Sequence, residues 1–255
     1  MKDFISWLMR NIPRPILIRF SFIFSKIISI FYIGKNVYCP VCERNFRKFL
    51  PYGAVKRRDN VLCPNCLSLE RHRLLWLFLK KKTSFFTSKL KVMHMAPEQP
   101  FLKKFRNLKN LDYQTGDLVS PLADVKFNIE NIPFQENIFD VFICNHVLEH
   151  VDNDLKAMQE IFRVLKIGGF AILQVPIDIS RKETYEDKTI TDPFEREKHF
   201  WQKDHLRLYG LDYAEKLRSV GFKVTENDFA KEFSPNELEK LKFDRNEIIY
   251  FIEKK

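Results

Sequence analysis

The sequence predicts an α/β protein, a doubly wound parallel sheet preceded by a small metal-binding module. Three observations predict it. From residue 89 onward, short apolar runs alternate with amphipathic stretches of helical period. Ahead of them stand two CxxC pairs, "CPVC" at 39–42 and "CPNC" at 63–66. The chain has 255 residues, 45% hydrophobic and 30% charged, enough for one full domain and a small appendage, with no repeats.

Residues 1–36 read as a basic amphipathic arm. The stretch 15–33, "PILIRFSFIFSKIISIFYI", is apolar over nearly a membrane-spanning length, but Arg19 and Lys26 interrupt it. On a helical projection Arg19, Ser21, Ser25, Lys26 and Ser29 share one side. Phe20, Ile23, Phe24, Ile27, Ile28, Ile30 and Phe31 share the other. This separation suits a helix lying in an anionic lipid interface, with Arg10 and Arg14 near the headgroups; packing of the same face on the protein body is the alternative. Two central cations argue against a membrane span, and the lack of a small-residue cleavage site argues against a signal peptide. The formal charge of +10 fits an anionic partner or a lysine-rich solvated surface.

Residues 37–83 form the second segment. Cys39, Cys42, Cys63 and Cys66 have metal-site spacing: each CxxC turn directs two thiolates at one ion, and two turns complete a tetrahedron. The segment between them carries turn residues (Pro51, Gly53, Asp59, Asn60) and too few apolar side chains for a core, so bound Zn2+ is expected to supply folding free energy. With four protein ligands the zinc is structural; redox dithiols are the other reading. This cysteine usage fits a reducing compartment and hence a cytoplasmic protein. "SLERHRLLWLFLKKK" then has the spacing of a connecting helix.

Residues 84–255 carry the alternation. Strands are expected at 90–95, 111–115, 139–144, 170–175, 222–226 and 247–252, and helices at 98–108, 152–165 and 211–220. In the second helix Leu155, Met158, Ile161, Phe162 and Leu165 share a face, Asp152 or Asn153 caps it, and Gly168 follows its end. The first strand runs into "HMAPE", where this class usually holds a cofactor on glycines; none of the seven glycines lies there.

The stretch "NIPFQENIFDVFICNHVLEHVDNDLKAMQEIFRVLKIGGFAILQVP" resembles the core of the type-11 group of class I S-adenosylmethionine-dependent methyltransferases. The resemblance rests on "IPF", "FDVFICNHVLEHV", "EIFRVLKIGGFAIL" and their spacing, and it extends over roughly residues 89–255. With the cysteine pairs in front, the chain resembles a zinc-bearing bacterial subgroup. The resemblance implies a Rossmann-like methyltransferase sheet with a zinc-ribbon-like module, S-adenosylmethionine as cofactor, and a substrate-facing lid at about 178–210.

It also implies a cofactor site. His94, Ala96 and Glu98 fall in the loop that meets the methionine part; Ala96 is nearly as small as glycine, and Pro97 suits the first turn of a helix whose N–H groups face a carboxylate. Asp117 of "YQTGDL" is placed to accept both ribose hydroxyls. Asn128 stands where an aspartate usually meets the adenine amino group, with Ile129 beside it. Asn145 and His146 line the methyl-donor end, while Cys144 reads as a buried apolar residue.

Methyl transfer is an in-line displacement at a sulfonium, so the protein mainly aligns the acceptor, and a base is needed only where the acceptor loses a proton. In "HVLEH" three readings stay open: His146 as base, the trio His146, Glu149 and His150 as a divalent-metal site like the Exx(E)H cluster of ubiquinone-type O-methyltransferases, or caps of the next helix. His205 is the second candidate base. Tyr185, Arg196, Trp201 and Arg207 are expected to meet the acceptor, Trp201 by stacking and the arginines by holding an anion; a solvated loop is the alternative. The implied function is methylation of an oxygen or nitrogen on a small polar or glycan-type acceptor, at the inner face of the membrane if the arm binds lipid. An RNA methyltransferase is favoured by the positive charge and disfavoured by the lack of an aromatic stacking stripe. A non-catalytic binding protein whose glycine-free loop has lost the cofactor is the remaining alternative.

Overall fold

The computed structural model describes residues 24–53 and 57–255, so the expectation for the arm falls, over 1–23, outside the described residues. In chain order the described elements begin with β1 (Ile33–Cys39), β2 (Arg44–Phe46), β3 (Leu50–Tyr52), β4 (Arg58–Leu62), α1 (Glu70–Lys82), β5 (Leu90–Met95), α2 (Gln99–Arg106), β6 (Leu111–Asp117) and β7 (Val125–Lys126). They continue with β8 (Phe139–Asn145), α3 (Asp154–Val164), β9 (Leu165–Gln174), β10 (Tyr185–Glu186), α4 (Pro193–Phe200), β11 (Arg207–Leu208), α5 (Tyr213–Ser219), β12 (Lys223–Asn227), α6 (Pro235–Leu241) and β13 (Ile249–Glu253).

These elements form two compact units. One comprises the described residues up to Ser88 with Glu98–Leu108 and Asp228–Ile248; the other comprises Lys89–Pro97, Lys109–Asn227 and Ile249–Lys255. Residues 84–88, 98–108 and 228–248, expected within the sheet domain, therefore cluster with the cysteine module.

In the first unit, β1–β2 and β3–β4 are antiparallel hairpins. α1 buries Leu74, Leu75, Trp76, Phe78 and Leu79. The Trp76 ring stacks on Phe101 and Phe105 of α2 at centroid distances of 6.2 and 5.9 Å. On the same helix Arg73 is wholly buried over the Phe49 ring, and its guanidinium donates to the carbonyls of Leu241 (2.6 Å), Lys242 (2.6 Å), Val61 (2.8 Å) and Ser68 (3.0 Å). A buried cation is tolerated only when its donors are satisfied in this way.

The segment 24–31 is helical, with its serines on the inner side and Lys26, expected beside them, exposed. Ser25 and Ser29 are buried, and Ser25 Oγ donates to the Asn65 carbonyl at 3.3 Å. Phe24, Ile27, Ile30 and Phe31 face outward, 52–69% exposed. No helix among the described residues is long and apolar enough to cross a membrane.

The second unit is built on a seven-stranded sheet of order β12-β13-β9-β8-β5-β6-β7. The pairs β5–β6, β5–β8, β6–β7 and β8–β9 are parallel, while β13 lies antiparallel between β9 and β12. This is the doubly wound α/β architecture expected from the alternation. Val92, Met93, Val141, Phe142, Ile143 and Ile172 are wholly buried, as is Cys144 in effect.

Several boundaries shift for identifiable reasons. β6 runs through Asp117 because Gly116 and Asp117 pair with Val125 and Lys126. β9 begins at Leu165, directly after α3, because Leu165 pairs with Phe139 before the register shifts to Val141 opposite Phe170. The intervening chain turns through Gly168 at φ 79°, and a Cβ on Gly169 would sit 2.8 Å from the Asp140 carbonyl oxygen. Asn153, not Asp152, caps α3, accepting from the Lys156 amide at 2.9 Å. Leu155, expected on the buried face, is 41% exposed, and Ala157, Met158, Ile161 and Val164 form that face instead.

Candidate functional site

β5 and β8 are neighbours, yet the sheet is built outward from them in opposite directions, to β6 on one side and β9 on the other. Their carboxyl ends thus define a topological switch point, where ligands of open α/β sheets bind. The residues expected at a cofactor converge on this edge. His94 and Met95 pair with Thr115 and Gly116 of β6 and with Ile143 and Cys144 of β8, so Ala96, Asp117 and Asn145 sit one step further at the same level.

The glycine-free loop is explained by the backbone. Ala96 takes φ 48°, the left-handed conformation normally left to glycine, and its amide donates to the Gly116 carbonyl at 2.8 Å. His146, just past the adjacent strand, also has positive φ, 55°, and its amide donates to the Gln174 carbonyl at 2.8 Å. Two non-glycine residues in this region at the ends of neighbouring strands indicate strain held where a ligand is expected.

Around these turns the side chains are placed as follows. His94 is fully buried and shares a 2.7 Å hydrogen bond between Nδ1 and the Tyr113 hydroxyl. Asp117 is half-buried, and its Oδ1 accepts from the amides of Val119 (2.8 Å) and Ser120 (2.7 Å). That turn holds the carboxylate in place and leaves Oδ2 for a hydroxyl. Asn128 is exposed with Oδ1 accepting from the Glu130 amide at 2.9 Å, whereas Ile129 and Asn145 are buried.

Glu98 is a correction. It belongs to the other unit, and its carboxylate accepts from His72 Nε2 at 2.7 Å. His72 is the donor there because its Nδ1 accepts the Leu69 amide at 2.9 Å. The carboxylate is committed to α1 and not to a cofactor.

His146 suits a general base. Its Nδ1 donates to Glu149 Oε1 at 3.2 Å, which leaves Nε2 with the lone pair, and the ring is 31% exposed. His205 does not suit that role: it is 1% exposed, donates Nδ1–H to the Phe200 carbonyl at 2.8 Å, and burial pushes its pKa down, so it stays neutral.

The lid segment is more ordered than a solvated loop. β10 pairs antiparallel with β11, Ile177 bridges to Tyr209, and Asp192 caps α4 through the amides of Phe194 and Glu195. Arg207 is the second correction. Expected to hold a substrate anion, it is buried and donates to the carbonyls of Leu148 (2.7 Å), Val151 (2.6 Å) and Asp152 (3.1 Å) and to both Glu186 oxygens at 3.2 Å. All five donors are used internally. Arg196 donates Nε–H to the Ile190 carbonyl at 3.1 Å, and the Tyr185 hydroxyl lies 3.2 Å from His199 Nδ1. Trp201, 47% exposed at the end of α4, remains available to stack on a ring.

A second centre lies in the cysteine module, where the four sulfurs are all within 4.8 Å of one another. Cys39 and Cys66 sulfurs are 3.5 Å apart, and those of Cys42 and Cys63 are 3.7 Å apart. Tetrahedral Zn–S bonds of about 2.3 Å place sulfurs about 3.8 Å apart, so the set fits zinc. The two CxxC turns are alike: Glu43 N donates to the Cys39 carbonyl (2.8 Å) and Leu67 N to the Cys63 carbonyl (3.0 Å), with both Glu43 and Leu67 at positive φ. Burial pushes the Cys63 thiol up, and the neighbouring thiols, Cys39 first, push up Cys66; a divalent cation at the centre reverses both effects. Arg73 was not singled out by the sequence reading, because a lone arginine in a helix carries no signal of burial.

With this geometry in place, the chain can be compared with known proteins. Residues 83–173 match a family model described as a methyltransferase domain. An uncharacterized protein of Methanocaldococcus jannaschii, MJ1123, is 35% identical over 95 residues, which is 37% of this chain and 43% of that protein. The ubiquinone/menaquinone biosynthesis C-methyltransferase UbiE of Xylella fastidiosa is 41% identical over 54 residues, 21% of each chain. The chain thus spans less than half the length of the curated relatives it matches. Among solved structures, the cyclase SpnF superposes with a TM-score of 0.51 at 14% identity, covering 73% of this chain and 83% of that one, which shows a common fold. Over residues 83–173 the chain is thus similar to methyltransferase domains, and it shares a fold with SpnF.

Proposed function

We propose that the protein transfers the methyl group of S-adenosylmethionine to an oxygen or nitrogen of a small polar or glycan-type acceptor. The observation that carries this reading is the pair of left-handed turns at Ala96 and His146, side by side at the switch point with Asp117 on the next strand. Asp117 Oδ2 receives a ribose hydroxyl, Asn145 and His94 line the methionine end, and the Ala96 turn does the work glycines do elsewhere. The cofactor supplies an electrophilic methyl on a sulfonium. His146 takes the acceptor's proton, oriented by Glu149, and Trp201 offers a face for a ring.

Calorimetry with S-adenosylmethionine and S-adenosylhomocysteine tests the reading. Micromolar binding is expected, weakened at least about tenfold in Asp117→Ala through loss of a charge-assisted hydrogen bond. The absence of heat at millimolar ligand sinks it and leaves a non-catalytic binding protein. Two subsidiary proposals accompany the first. The four cysteines hold one structural Zn2+, whose surplus thiolate charge Arg73 offsets. The exposed apolar face of 24–31, flanked by Lys26 and Lys35, rests on an anionic membrane surface, which would place the enzyme at the inner face of that membrane.

A further inference from the structure

Where the lid joins the sheet unit, one cluster does more than orient His146. Glu149, His150 and His205 each present a ligand atom, and these atoms lie within 4.8 Å of one another. Glu149 and His205 are both 1% exposed. Glu149 Oε2 and His205 Nε2 are buried without a hydrogen-bond partner. Buried polar atoms left unpaired are costly, so two in one cluster call for a third party.

The partners behind the rings assign the protons. Phe200 presents a carbonyl to His205 Nδ1 at 2.8 Å, and a carbonyl only accepts, so Nδ1 carries the hydrogen and Nε2 the lone pair. His150 Nδ1 faces the Asp204 carbonyl at 3.1 Å and is protonated for the same reason. Glu149 uses Oε1 for His146 and turns Oε2 inward. Two imidazoles, each oriented by a backbone carbonyl, and one carboxylate oxygen thus converge. Histidines that bind metals are typically oriented this way.

We propose that Glu149, His150 and His205 bind a divalent first-row ion of the Zn2+ type, distinct from the ion of the four cysteines. Imidazole nitrogens suit Zn2+, Co2+ or Ni2+ better than Mg2+ or Mn2+, which prefer oxygen. The set is not the "HVLEH" trio: His146 is hydrogen-bonded to Glu149, and His205, from the far end of the lid, completes the ligands. The ion pins the lid to the turn after β8, reinforcing the 2.8 Å bond from the Leu206 amide to the Glu149 carbonyl. Because one carboxylate serves both His146 and the ion, occupancy of the site and orientation of the base are linked.

The full chain, loaded with Zn2+ and freed of excess by gel filtration, is assayed for metal per chain, and a parallel sample is titrated with Co2+. The expected result is a cysteine-bound ion marked by a sulfur-to-cobalt charge-transfer band, and a further ion lacking that band. His205→Ala and His150→Ala should weaken the further ion at least about tenfold, the loss expected for removing one ligand, and keep the first. His150 is half-exposed, so His150→Ala preserves a folded protein should His205→Ala fail to fold. A wild-type chain with no ion beyond the cysteine set, or a further ion indifferent to both substitutions, overturns the proposal.

Discussion

Ala96 and His146 hold backbone conformations that cost a non-glycine residue about 1–2 kcal/mol each. Ala96 shows the cost most simply, since its side chain is one methyl group. Replacing it with glycine should leave stability unchanged or raise it by up to about 1 kcal/mol, whereas a β-branched valine should lower it by more than about 1 kcal/mol. Urea unfolding midpoints check both. Arg207 tests the opposite situation, a side chain with every donor spoken for. Arg207→Met should cost about 3 kcal/mol or more, because it strands Glu186 and three carbonyls, and the loss should appear as a lower melting temperature. The sequence singled out both positions, and the structure differs from its reading at Arg207, whose donors are used internally. A positive φ at alanine and a buried guanidinium arise from what the neighbouring chain segments impose.

α3 and the cysteine hairpins show how single elements respond to solution conditions. On α3 the Arg163 guanidinium beside Glu160 holds that carboxyl below its usual range, helped by the Ile132 amide at 2.9 Å. A folded pKa below the unfolded one stabilises the protein above the unfolded value of about 4.3, and the contribution is lost as pH falls through the folded value. Glu160→Gln should therefore flatten the acid limb of melting temperature against pH, chiefly below about pH 5, and leave the neutral slope alone. The hairpins β1–β2 and β3–β4 are short, with little apolar surface of their own. Removing metal with a chelator should unfold them, read as rapid proteolysis between Arg58 and Glu70 that added Zn2+ suppresses. Of these elements, the cysteine spacing and the helical period of α3 were plain in the sequence. The cap and exact face of α3 were not, because Asp152 and Asn153 are equivalent on paper.

Across the molecule, charge and exposed apolar surface point to one interaction. The membrane proposal rests on a chain of +10 that turns Phe24, Ile27, Ile30 and Phe31 to solvent while burying Ser25 and Ser29. The wild type should float with anionic vesicles, and serines at those four positions should abolish flotation while leaving the melting temperature within about a degree or two, as exposed sites do. Equal flotation by the two proteins would dismiss the membrane proposal.

Local pattern was sufficient to find the six longer strands of the sheet, the helix α3 and the metal-spaced cysteines, because period and spacing are properties of neighbouring residues, and it missed the short strands β1–β4, β7, β10 and β11. It also placed His94, Asp117, Asn145 and His146 on one edge, since parallel strands bring their carboxyl ends together whatever their side chains. What it left open depended on segments distant in the chain. Glu98 was drawn to His72, Arg207 to the turn after β8, and His205 to Glu149 and His150, because buried polar groups bind whichever partners the fold delivers, and those partners lie tens of residues away in sequence.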